Sequence, residues 1–132
     1  MKIFESNKNT EWEDKVNFVD ENNVFVGYDL GQDCCENANW FIADAPKNEI
    51  LENDKSRDVS EYQFDTSYFK RIDGSGYAGE TSYIDGGGMV IFRLKAKNKP
   101  DIYLHLFNCQ NGYYGHGFEA KIGDEKWKDG LL

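Results

Sequence analysis

The sequence predicts an α+β fold: a predominantly antiparallel sheet of about five or six strands, with one or two short helices on one face. Three observations predict it. Between Met89 and Phe107, apolar side chains recur at every second position, the period of a strand with one buried face. The runs are separated by reversal chemistry, Asn98-Lys99-Pro100-Asp101 and Asn111-Gly112, and short turns imply antiparallel pairing. Thr10-Glu11-Trp12-Glu13 has the pattern of a capping box, followed by Trp12, Val16 and Val19 at helical spacing.

Along the chain, a short helix is expected over about 10–19. The competing reading is a strand using Val16 and Phe18 that turns at Glu21-Asn22-Asn23. Val24, Val26 and Tyr28 alternate and mark a strand over 24–29. Gln32-Asp33-Cys34-Cys35-Glu36 has room for one helical turn before a strand over 40–44. The polar stretch 46–60 reads as a loop with at most one helical turn. Residues 61–72 read as a long strand with Tyr62, Phe64 and Tyr68 on one face, because aromatic residues favour the pleated backbone.

Six of the 13 glycines fall between Gly74 and Gly88, which makes that stretch a hairpin connection. Strands over 89–97 and 102–107 follow, and a last one over 113–122. On the first, Val90, Phe92, Leu94 and Ala96 share a face opposite Arg93 and Lys95. On the second, Ile102, Leu104 and Leu106 alternate with Tyr103, His105 and Phe107.

The 132 residues fit one domain spanning 1–132, and 9 Phe, 8 Tyr and 3 Trp supply a core that a disordered chain lacks. No apolar run approaches the roughly 20 residues needed to span a bilayer, and the first residues lack a signal-peptide pattern. A cytoplasmic protein without membrane association is therefore expected.

The net charge of −9 is unevenly placed: residues 1–60 hold 14 acids against 6 bases, and residues 61–132 hold 10 against 9. Such a field repels nucleic acid, whose binding relies on Lys and Arg neutralising phosphates. It suits a basic partner, including the nucleic-acid groove of another protein. Solubility alone would also account for it.

Gly74-Ser75-Gly76-Tyr77-Ala78-Gly79 satisfies G-x-G-x-x-G, but a dinucleotide site requires a helix to follow. Glu80–Gly88 contains three more glycines and cannot open one, so the stretch reads as a loop. Adjacent Cys34 and Cys35 lack zinc-motif spacing. His105 and Cys109 would stand about 13 Å apart on a strand, at about 3.3 Å per residue, too far for one coordination shell. Neither a metal nor a cofactor is expected, and burial of at least one of the paired cysteines is. His116, between Gly115 and Gly117, is the better candidate base, and no spacing links it to a thiol. The stretch from Asn108 to Gly117, with Asn111, Tyr113, Tyr114 and His116, reads either as a polar recognition surface or as a hairpin turn with packed tyrosines.

Asp33-Cys34-Cys35-Glu36, after Gly27-Tyr28-Asp29 and followed far downstream by Asn111-Gly112-Tyr113-Tyr114, resembles a family of small uncharacterised bacterial and phage proteins. Those carry an acidic-Cys-Cys-Glu element early and an Asn-Gly-Tyr-Tyr element late, over what corresponds to about residues 16–122. This chain has Gln110 where that pattern often has Ser. The resemblance implies no function. It implies that Asp33, Cys34, Cys35 and Glu36 approach Tyr113 and Tyr114, and that the chain comes from a phage or mobile element.

Two functional expectations follow. The first is a non-enzymatic acidic binding protein that engages a basic protein surface, as an accessory or inhibitor of a host nucleic-acid-binding protein. Its surface would comprise Glu11, Glu13, Asp14, Asp20 and Glu21 with exposed tyrosines. The second is a small-ligand or metal site, with or without catalysis, joining Cys34–Glu36 to Tyr113–His116. A blander third reading is a domain that works only inside a larger assembly.

Overall fold

A computed structural model of the chain describes residues 1–6, 14–31, 36–51, 56–73, 87–110 and 115–132. The described residues form nine strands: β1 (Lys2–Ser6), β2 (Lys15–Val19), β3 (Val24–Asp29), β4 (Glu36–Ala43), β5 (Gln63–Asp73), β6 (Gly88–Lys95), β7 (Ile102–Gln110), β8 (Gly117–Ile122) and β9 (Glu125–Leu131). They make two antiparallel sheets, ordered β1-β2-β3-β8-β9 and β4-β7-β6-β5. The fold is all-β, which corrects the α+β expectation and the strand count. Among the described residues there is no helix, and so none long and apolar enough to cross a membrane.

The helix expected over 10–19 is replaced, from residue 15 on, by β2; residues 10–13 lie outside the described set. The helical spacing of Val16 and Val19 coexists with a period-two pair, Val16 and Phe18. Burial decides in favour of the second, for both are fully buried. Pairing of β2 to β1 and β3 on its two sides then satisfies the backbone that a helix would have bonded internally. The described parts of 46–60 contain no helical turn either.

The sheets face one another across one core. Val16, Phe18, Val26, Tyr28 and Phe118 of the five-stranded sheet meet Trp40, Val90, Phe92, Leu104 and Leu106 of the four-stranded one. Phe18 and Trp40 meet edge to face at 5.2 Å between ring centres, a favoured aromatic geometry. The Tyr28 hydroxyl donates to the Phe107 carbonyl at 2.8 Å, tying the two sheets together. Its burial pushes the phenol pKa up.

Burial is not one-sided, as clean alternation had suggested. Phe41, Ala43, Met89, Ile91 and Phe107 line the outer face of the four-stranded sheet, and Ile50 and Leu51 pack against them. His105 lies on that face, fully buried and stacked on Phe41 at 4.2 Å. Its Nε2 accepts from the Lys47 backbone N–H at 2.9 Å, and Nδ1 faces the Tyr103 carbonyl at 3.0 Å. The acceptor role of Nε2 assigns the proton to Nδ1. Burial lowers the His105 pKa to about 4.

Two irregularities re-aim side chains. A register shift between Phe64 and Phe69 sends Phe64 into the main core and Tyr68 to the outer cluster, so Tyr62, Phe64 and Tyr68 do not share a face. A second, between Ala120 and Lys121, pairs Lys121 with Lys126 and Ala120 with Lys128, leaving Trp127 as the extra residue that packs on Phe92 at 5.8 Å.

Candidate functional site

The strand registers bring four connections to one end of the sandwich. Ser6 pairs with Lys15, Glu36 with Gln110, Asp73 with Gly88, and Gly88 with Asn108. Asp29 and Gly117, at adjacent strand ends, complete the rim, with the His116 ring against the Asp29 carbonyl at 2.8 Å. The connections that leave from this rim contain residues 7–13, 32–35, 74–86 and 111–114, all outside the described set. The described flanks therefore bring the Asp-Cys-Cys-Glu and Asn-Gly-Tyr-Tyr elements to neighbouring strand ends, because the strand beginning at Glu36 pairs with the one ending at Gln110.

Only some of the candidate residues can be placed against that rim. Glu11, Glu13, Asp33, Cys34, Cys35, Asn111, Tyr113 and Tyr114 lie outside the described residues, as does the glycine-rich 74–79 motif. That motif joins two strands paired antiparallel at Asp73 and Gly88, not the strand-helix-strand unit a dinucleotide requires. Glu36 opens β4. Asp14 sits at the rim, half-buried, with its carbonyl accepting from Leu30 N–H at 2.8 Å and its buried Oδ1 without a partner among the described residues.

His116 is buried and held on both sides: its backbone exchanges two 2.9 Å bonds with Leu132, and its Nδ1 meets the Asp29 carbonyl. That arrangement fixes the rim in place. Glu21 is exposed at the opposite end, in the turn between β2 and β3.

Asp20 turns inward, so it cannot form part of an acidic surface. It is 7% exposed, and its Oδ1 accepts from the Asn22 and Val24 N–H groups at 2.9 Å each. Its Oδ2 accepts from Phe64 N–H at 2.8 Å. One carboxylate thereby organises the β2–β3 turn, where Asn23 takes a positive φ of 63°, and pins it to the other sheet. Of the five expected surface acids, Asp14 is at the rim, Glu21 is exposed at the far end and Asp20 is internal.

Sequence reasoning missed a second feature, on the outer face of the five-stranded sheet. A shallow depression of about 630 Å³ lies there, within the range of ligand pockets. Asn17, Gly27, Glu119 and Asp129 form one cross-strand row along its floor; Lys15, Asp29, Gly117 and Leu131 form the next. Gly27 leaves a gap that the Phe25 ring leans over: a Cβ at Gly27 would stand 2.9 Å from Phe25 Cζ and 3.0 Å from Asn17 Oδ1. The available signal was the alternation Phe25, Gly27, Asp29 opposite buried Val24, Val26 and Tyr28.

Among the described residues, no group of three His, Cys, Asp or Glu side chains could hold a metal ion. Elsewhere, Asp65 is held to a pKa of about 2 by the Ser67 hydroxyl at 2.6 Å, with Arg93 at 2.7 Å assisting. Arg93 also lies over the Tyr68 ring at 4.7 Å, which makes this a structural cluster on the four-stranded sheet. No protein-family model matches the chain, and no curated protein and no solved structure matches it.

Proposed function

We propose that the protein is a non-enzymatic binding protein of the cytoplasm that engages a basic surface of another protein through the rim end of its sandwich. As a product of a phage or mobile element, it would occupy the nucleic-acid groove of a host protein. One observation carries this reading: the convergence of four connections on one end, taken with what the sequence puts into them. Residues 7–13, 32–35, 74–86 and 111–114 together hold five acids against one base, Lys8, and include Trp12 and four of the eight tyrosines. Tyrosine and tryptophan are the side chains that most often anchor interfaces, and carboxylates around them select a cationic partner. Asp14, half-buried at the strand end, adds a carboxylate to the same rim.

Affinity capture from host extract, followed by binding measurements on the purified partner, tests the reading. Affinity should fall at least about tenfold between roughly 0.05 and 0.3 M salt, since exposed charges are screened over a Debye length near 10 Å at 0.1 M. Duplex DNA should compete for the partner. The triple variant Glu11→Gln, Glu13→Gln, Asp14→Asn should bind more weakly while folding normally. Salt-independent binding, or a captured partner with an acidic surface, overturns it.

A further inference from the structure

We propose that the outer face of the five-stranded sheet is a second binding site, adjoining the rim at Lys15, Asp29 and Gly117 and centred on Phe25, and that it takes a neutral saccharide. The face differs from the rest of an acidic chain in being balanced. Across β2, β3, β8 and β9 it presents Lys15, Lys121 and Lys126 against Asp29, Glu119 and Asp129, in a protein with a net charge of −9. Two of the three acids are closed in ion pairs, Glu119 with Lys121 and Asp129 with Lys126, at 3.1 Å each. A charged ligand gains nothing from such a field, whereas a hydroxyl-rich one finds donors and acceptors of both kinds.

The floor adds the apolar half of the recognition. Phe25 lies flat across the space that a side chain at Gly27 would take, with the Asn17 amide beside it. A half-buried aromatic ring edged by an amide and carboxylates suits a sugar, whose C–H face packs on the ring while its hydroxyls reach the polar groups. An extended peptide is a poorer fit. β2, β3 and β8 are each paired on both sides, so the backbone beneath Phe25 offers no edge to an added strand; the edge strand β9 lies at the margin of the depression.

Amide spectra of the full chain, titrated with uncharged trisaccharides, test the site. The probes are cellotriose, maltotriose, mannotriose and triacetylchitotriose, with trilysine and a sulfated trisaccharide as charged controls. At least one neutral probe should shift the Asn17, Gly27 and Glu119 amides saturably at about 10 mM, a level that fills a site of about 1 mM Kd. Phe25→Ala should weaken that binding at least about tenfold; should Phe25→Ala not fold, Asn17→Ala, which leaves the strand pairing intact, should weaken it at least about fivefold. The proposal falls if no neutral probe moves those amides, if only a charged control does, or if both variants fold and bind as the parent does. Because the rim and this face are read separately, by partner capture and by amide shifts, failure of one leaves the other standing.

Discussion

The ring of His105 accepts a hydrogen bond from the backbone N–H of Lys47, 58 residues earlier in the chain, across 2.9 Å. This bond fastens the stretch after β4 over the outer face of the four-stranded sheet, where Ile50 and Leu51 complete a second apolar cluster. It requires a neutral imidazole, because a protonated ring has no lone pair at Nε2.

Stability should therefore fall in mild acid. The folded-state pKa of about 4 lies below the unfolded value near 6.5, so the unfolded chain binds the proton first. The contribution is intact above pH 6.5 and is lost as pH falls from there through about 4, at roughly 1.4 kcal/mol per unit and ~3 kcal/mol in all. Urea titrations at pH 7, 5.5 and 4 measure this. His105→Phe keeps the stack on Phe41 but removes the titration, so its stability should change less over the same interval. An equal slope in both proteins would contradict the assignment.

Asp20→Ala should be among the most damaging single changes to a polar residue. It strips an acceptor from three backbone N–H groups at once, those of Asn22, Val24 and Phe64. Two of these donors, at Val24 and Phe64, are buried, and unsatisfied buried donors cost about 1–3 kcal/mol each, so a loss of at least ~2 kcal/mol is expected by denaturant unfolding. Asp20→Asn should recover part of it. A loss under about 1 kcal/mol for the alanine variant would show the carboxylate to be dispensable.

For Tyr28→Phe the expected cost is smaller, about 1–2 kcal/mol, because the ring still fills the core and only the bond to the Phe107 carbonyl goes. Thermal unfolding would register it. An unchanged midpoint would mean that water replaces the hydroxyl.

Two glycines separate close backbone approach from mere smallness. A Cβ at Gly87 would stand 1.9 Å from the Asn108 carbonyl oxygen, a clash with backbone that no side-chain rotation relieves. Gly87→Ala should cost at least ~2 kcal/mol. At Gly117 the nearest atom is the far end of Leu131 at 3.8 Å, and Gly117→Ala should stay within about 0.5 kcal/mol of the parent. Comparable losses in both would refute the distinction.

Much of the four-stranded sheet was legible from alternation. Val90, Phe92 and Leu94 face the main core, and the 102–107 pattern has the two faces expected of it. What alternation could not show is what covers the second face, since Pro46, Lys47 and Asn48 begin a cover that reads as a polar loop. The edge strands were illegible for different reasons. Most of β1 is exposed, so its pattern carries no burial signal, and Trp127 interrupts the period of β9. At Val16 and Val19 a helical spacing and a strand spacing overlapped, and only pairing with two neighbours chose between them. The sheet-face depression was out of reach because Asn17, Gly27 and Glu119 come from three strands and meet only through register. His116 stood out in the sequence only as a histidine between two glycines; its contacts at the rim, with Leu132 and Asp29, depend on residues that no local pattern connects to it.

The pairing of β3 with β8, Val24 opposite Ile122, encloses all of the four-stranded sheet between its partners in the chain. During synthesis the first three strands leave the ribosome with Val16, Phe18 and Val26 uncovered, and their partner strand is not yet made. At translation rates of about 5–20 residues per second, that interval lasts on the order of ten seconds. Through that interval β3 has one neighbour, β2, and the edge that later takes β8 stays open.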